Sequence, residues 1–158
     1  MTDEADKRIA EIELDEAALN TANPDIEDER RIAQFDLLER NHFAVDSISG
    51  PYRLRLLIQE QRLGFNVTSM TDGAERSHQV SLTSFRRLIK DYFMICESYA
   101  NAIRHATPTQ IEAIDMGRRG LHNEGADLLI ERLQGKIEID HDTARRLFTL
   151  ICALHQRQ

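Results

Sequence analysis

The chain has 158 residues, a net charge of −7, 41% hydrophobic and 30% charged residues, and three prolines; this is the composition of a globular chain and not of a disordered one. The length suits a single domain, residues 1–158, with residues 1–7 expected as a disordered acidic N-terminus. No run approaches the ~18 apolar residues of a membrane span, and "MTDEADKR" lacks the apolar stretch of a secretory signal, so a cytoplasmic protein is expected.

The first strand is "RIAEIELD", where Ala10, Ile12 and Leu14 alternate with Glu11 and Glu13. Asn23-Pro24 then reads as a helix cap with proline at the first position. Asp25, Glu27, Asp28 and Glu29 follow in the first turn, where the helix dipole favours acids. Residues 1–50 hold 14 acids against 5 bases, a net of −9, and the rest of the chain is at +2. Helix-end preference accounts for much of that excess without a partner. Ile32, Phe35 and Leu38 are expected to face the core from this helix, which should fray near Asn41, and "SISGP" is a turn.

A β-meander comes next. "YRLRLLIQ" sends Leu54, Leu56 and Ile58 one way and Arg53, Arg55 and Leu57 the other. "RLGFNVTS" does the same with Leu63, Phe65 and Val67, and "SHQVSL" offers Val80 and Leu82 after the Asp72-Gly73 turn. Arg53, Arg55 and Arg62 therefore share the outer face. A nucleic-acid platform would need aromatic rings there, and Phe65 points inward. A solvated face paired with Glu11 and Glu13 is the expectation, and nucleic acid is not an expected partner.

The remainder is helical. Thr83 or Ser84 caps a helix reaching about His105, with Phe85, Leu88, Ile89, Tyr92, Ile95, Cys96, Tyr99 and Ile103 in one arc, the pattern of a central core helix. Cys96 and Cys152 sit in apolar helical patterns with no metal-ligand spacing, so buried thiols are expected and no metal or cofactor. "TPTQ" is a capping box that starts another helix. "KIEID" is a short strand or extended link. Asp140 or Asp142 caps a last helix, with Leu147, Phe148, Leu150, Ile151 and Leu154 inward. The order predicts an α+β fold, a small antiparallel sheet of about four strands packed against a C-terminal helical bundle.

Within the helix from Pro108 lies "DMGRRGLHNEG", with three of the chain's seven glycines. Gly120 followed by Leu121 reads as a helix stop, and Asn123 as the cap of a further helix. Asp115 reaches Arg118 and Arg119 at i+3 and i+4, and His122 lies within ~60° of Arg118 on the helical wheel. Asp115, Arg118, Arg119, His122, Asn123 and Glu124 are therefore the candidate ligand-binding residues. Arg118 would be the anion fork, His122 a donor or proton carrier, and the amides after Asn123 would complete the site. The alternative is a purely structural corner in which Asp115 and Arg118 neutralise each other. His122-Asn123-Glu124 has no companion zinc ligands, and no nucleophile elbow or phosphate loop is present, so no catalytic residue is assigned.

"SLTSFRRLIKDYFMICESYANAIRHATPTQIEAIDMGRRGLHNEG" and "DTARRLFTLICALH", with "NPDIEDER" and "GPYRL" nearer the front, resemble an uncharacterised family of small cytoplasmic proteins from alphaproteobacteria. The resemblance spans nearly the whole chain. It implies a bacterial, cytosolic, single-domain protein and brings no catalytic or binding residue with it. The expected function is a binding or regulatory module acting through protein–protein contacts, with a homodimer through the C-terminal helices. The alternative is a small-molecule enzyme or sensor that takes a phosphorylated or carboxylated ligand at the corner from Asp115 to Gly125.

Overall fold

Alternating side chains build the main sheet, with strands β1 (Ile9–Leu14), β3 (Tyr52–Gln59), β4 (Arg62–Ser69) and β5 (Glu75–Ser81) in the order β1-β3-β4-β5. A computed structural model describes residues 6–15 and 24–155. The expected N-terminal disorder (residues 1–5 of it) and the Asn23 cap lie outside them. Leu54, Leu56, Ile58, Leu63, Phe65, Val67 and Val80 are buried on one face, as the period of two requires. On the other face Arg53 meets Glu11 at 2.7 Å.

The sheet is mixed. β3, β4 and β5 form the antiparallel meander, whereas β1 lies parallel to β3 with a register shift between Ile9 and Glu11. That shift buries both Ile9 and Leu14 at the ends of β1. The free edge of β1 is blunted by Asn41, whose side-chain amide donates to the Ile9 carbonyl at 3.0 Å while its oxygen accepts from the Ile9 amide at 2.7 Å. A second, two-stranded sheet pairs β2 (Phe43–Val45) with β6 (Ile137–Ile139). β6 is the expected short strand; β2 is three residues long and paired far along the chain, too short for a periodic signal.

Among the described residues, four helices complete the fold: α1 (Pro24–Glu39), α2 (Arg86–His105), α3 (Pro108–Leu133) and α4 (His141–His155). A 3₁₀ turn, Leu82–Phe85, capped by Ser81, leads into α2. Thr107 and Gln110 form the reciprocal capping box of α3, and Asp140 caps α4 by accepting from the Thr143 amide at 2.9 Å.

Three expectations change. The central helix is α4, not α2: every residue from Leu147 to Leu154 is buried, and α4 packs on α1, α2, α3 and β3. The stretch Leu147–Leu154 is used within its own chain, so a dimer through the C-terminal helices would have to use other faces. α2 buries Leu88, Ile89, Tyr92 and Cys96, but Ile103 near its end is 58% exposed. On α1, Ile32, Phe35 and Leu38 are 61%, 64% and 41% exposed, while Ala33 and Leu37 are buried. Ala33 and Leu37 stand ~160–200° round the helix from Phe35. The small Ala33 side chain lets α1 approach α4, and the larger apolar residues are left outside.

Candidate functional site

The helix that carries the glycine corner does not break. α3 runs from Pro108 to Leu133 through all three glycines, so Gly120 is not a stop and Asn123 is not a cap. A glycine inside a helix costs about 1 kcal/mol, and packing offsets it here. A Cβ on Gly125 would lie 2.5 Å from the Phe148 ring, so its absence lets α3 lie against α4. Gly120 faces open space. With the helix continuous, the amides after Asn123 are consumed by its own ladder and cannot receive an anion.

The six candidate residues divide into three groups. Asp115, Arg118 and Arg119 meet: Arg118 Nη2 donates to Asp115 at 2.7 Å and Arg119 Nη2 lies 3.0 Å from the same carboxylate. The other arm of Arg118 donates to Glu29 on α1 at 2.6 Å, and its guanidinium lies 4.8 Å over the Tyr99 ring of α2. Both arms of the fork are thus taken by carboxylates. Burial works against the Arg118 charge, but the Asp115 hydrogen bond and the Glu29 charge outweigh it and raise its pKa. The same hydrogen bond holds the Asp115 carboxyl below the usual range. Glu124 points away and bonds Arg87 of α2 at 3.1 Å, and Asn123 is exposed.

His122 turns inward. Its ring sits 5.2 Å from that of Tyr92 and 6.4 Å from that of Phe148. Its Nε2 is 3.3 Å from the Thr149 hydroxyl, which donates to the Arg145 carbonyl at 3.2 Å. The hydroxyl oxygen is then left to accept, which places the imidazole proton on Nε2. Burial first, and then the charges of Arg145 and Arg118, push the His122 pKa down to about 4. It is a neutral imidazole at physiological pH.

Two small cavities flank this region. One, about 160 Å³, lies between α1 and α2 beside Ile32, Tyr99, Ile103 and Arg118. The other, about 200 Å³, lies between α1, α3 and α4, and Asp36, His122, Arg145, Arg146 and Thr149 line it. A groove of about 690 Å³ runs along β6 and the end of α3, past Asp46, Asp127, Glu131 and Lys136. Among the described residues, no three His, Cys, Asp or Glu side chains converge as a metal ion would need. Cys96 and Cys152 are buried and form no disulfide, and burial drives the Cys152 pKa up, away from a reactive thiolate.

Sequence reasoning missed Glu29, Tyr99, Arg145 and Thr149. Glu29 reads as one of several first-turn acids, and nothing local ties it to an arginine 89 positions later. The Arg145-Arg146 doublet is the one visible signal, shared with three other Arg-Arg pairs.

A family model described as Uncharacterised protein family (UPF0262) matches residues 6–157. A UPF0262 protein of Brucella canis is 57% identical over 152 residues, covering 95% of this chain and 94% of the relative. One from Methylobacterium radiotolerans is 57% identical over 148 residues, at 94% and 92% coverage. One from Mesorhizobium japonicum is 56% identical over 158 residues, at 99% and 98% coverage. No solved structure matches.

Proposed function

The chain belongs to the uncharacterised family UPF0262, and we propose that it is a binding or regulatory module that works through protein–protein contact, with a second copy of itself on the outer face of α1. The observation that carries this reading is the apolar stripe Ile32, Phe35 and Leu38, spaced i, i+3, i+6 and more than two-fifths exposed at each position. Single exposed apolar residues need no explanation; three in line on one helix face mark a contact surface. Ile103 of α2 extends the stripe across the cavity it shares with Ile32.

Charge around the stripe favours a self-contact over a partner of opposite sign. The rim carries the exposed Asp28–Arg31 ion pair together with Asp36, Glu39 and Arg40, so both signs are present. A two-fold contact presents the same patch on both sides, which such a mixed rim tolerates. Large apolar side chains at its centre supply the anchors that a standard interface of ~800 Å² per partner requires.

Sedimentation equilibrium on wild type and Phe35→Glu tests the proposal. A micromolar dimer that Phe35→Glu converts to a folded monomer is the expected result. A wild type that stays monomeric at tens of micromolar, or a dimer indifferent to Phe35→Glu, overturns it.

A further inference from the structure

We propose that the cavity between α1, α3 and α4 is a binding site for a compact, hydrophilic carboxylate that also carries a hydroxyl or ammonium group, held through Arg145 and Arg146. The site borders the apolar stripe of α1, sharing Ile32 and Asp36 with it, but its two arginines lie on α4.

The first argument is unspent donor capacity. A guanidinium has five N–H donors. Arg145 Nε is buried with no hydrogen-bond partner among the described residues, and the ion pair of Arg145 with Asp142 is long, 3.8 Å. A buried donor left unmade costs about 1–3 kcal/mol, and the rest of the same side chain lines the cavity. Arg146, the next residue on α4, donates through Nη1 to the Arg40 carbonyl at 3.3 Å and makes no other hydrogen bond among the described residues. Both side chains are half-buried and line the same cavity. A carboxylate is the anion whose two oxygens match such forks.

The second argument is the company of the arginines. Glu29, Asp36 and Asp142 line the same walls. Glu29 is occupied by Arg118, which leaves two carboxylates opposite two arginines. A phosphate dianion would add charge to this balance and meet repulsion from the acids. A monocarboxylate bearing a donor group satisfies both signs, its oxygens on the arginines and its ammonium or hydroxyl on Asp36 or Asp142. Thr149 and the neutral His122 add a hydroxyl and an uncharged imidazole to the wall. The volume, about 200 Å³, equals roughly six or seven water molecules at ~30 Å³ each. That admits a three-carbon acid.

The test is the melting temperature of the full chain with L-serine, D-glycerate or inorganic phosphate, each to about 20 mM at constant ionic strength, on wild type, Arg145→Gln and Arg146→Gln. Serine or glycerate should raise the wild-type midpoint by about 2–4 °C. Arg145→Gln should lose that rise and Arg146→Gln should reduce it, each judged against its own ligand-free midpoint. No rise in wild type, the same rise in both variants, or a rise with phosphate alone overturns the proposal.

Discussion

Arg118 on α3 donates to Glu29 on α1 at 2.6 Å while its other arm holds Asp115 at 2.7 Å. The three side chains are 21%, 29% and 24% exposed, and the guanidinium stacks over Tyr99 of α2. One side chain therefore fastens three helices at their outer seam. Replacing it with alanine leaves two part-buried carboxylates without their cation. Arg118→Ala should destabilise the chain by about 2–3 kcal/mol in a denaturant titration. Arg118→Lys should recover less than half of that, since lysine keeps the charge but not the fork or the stack. In the Arg118→Ala background, Glu29→Gln should cost less than it does alone. Additive losses would show that the pair is not coupled.

Gly120 and Gly125 lie five residues apart on one helix and should respond in opposite directions to the same substitution. Gly120 has open space around its missing Cβ and sits in a helix interior. Gly120→Ala should stabilise the chain by about 0.5–1 kcal/mol. A Cβ at Gly125 would press into three atoms of the Phe148 ring at 2.5–2.6 Å, so Gly125→Ala should destabilise by about 1–3 kcal/mol or more. Thermal melts of the two variants settle the helix path as well. A glycine stop with a left-handed backbone would make Gly120→Ala destabilising.

The contrast shows where local sequence signals lose their force. Leu54, Leu56, Leu63 and Phe65 reveal their strands because alternation is a property of neighbours. The Thr107–Gln110 box reveals its helix for the same reason. The failures need partners far along the chain. Ile32, Phe35 and Leu38 have helical spacing as good as that of a core face, but which face goes inward depends on how closely α4 approaches Ala33. Gly120 resembles a stop because glycine often ends helices; the packing of Leu129 and Leu133 beyond it is what carries α3 onward. Asn41, expected as a frayed end, binds both backbone groups of Ile9, 32 residues earlier. For the site, the Asp115–Arg118 contact is legible from i+3 spacing, whereas Glu29 and the Arg145 cavity exist only in three dimensions.

The turn between β3 and β4 offers a cleaner stability gain. Glu60 and Gln61 are both left-handed, with φ of 53° and 64°, the backbone of a two-residue hairpin turn that asparagine and glycine prefer. Gln61 has partners within the fold: its carbonyl accepts from the Leu82 amide at 3.0 Å and its side-chain oxygen accepts from Arg86 at 2.5 Å. Glu60 is exposed. Glu60→Asn should therefore relieve strain and raise stability by about 0.5–1 kcal/mol, readable as a higher denaturation midpoint with an unchanged slope. Gln61→Asn should gain less or lose, because the shorter side chain forfeits Arg86.

The buried imidazole of His122 makes an acid sensitivity that can be separated from the rest of the chain. Its folded pKa is about 4, against ~6.5 when unfolded. Between those values the unfolded chain binds the proton and the folded chain does not. Stability is therefore complete above pH ~6.5 and falls as the pH drops toward 4, where the folded state also takes up the proton and this contribution levels off. The full depression corresponds to at most about 3 kcal/mol. His78 and His155 are also held low by burial and act in the same direction. Asp115 and Glu27, whose pKa values are lowered by their arginines, lose their stabilisation as pH falls through their folded values. Only a difference between variants isolates His122. His122→Gln keeps a donor for the Thr149 hydroxyl and cannot titrate. Its stability relative to wild type should improve by about 1–3 kcal/mol between pH 7 and pH 4.5 in parallel urea titrations. Equal pH dependence in the two proteins would mean that the folded imidazole is solvated, and the inward wall of the α1–α3–α4 cavity would have to be redrawn.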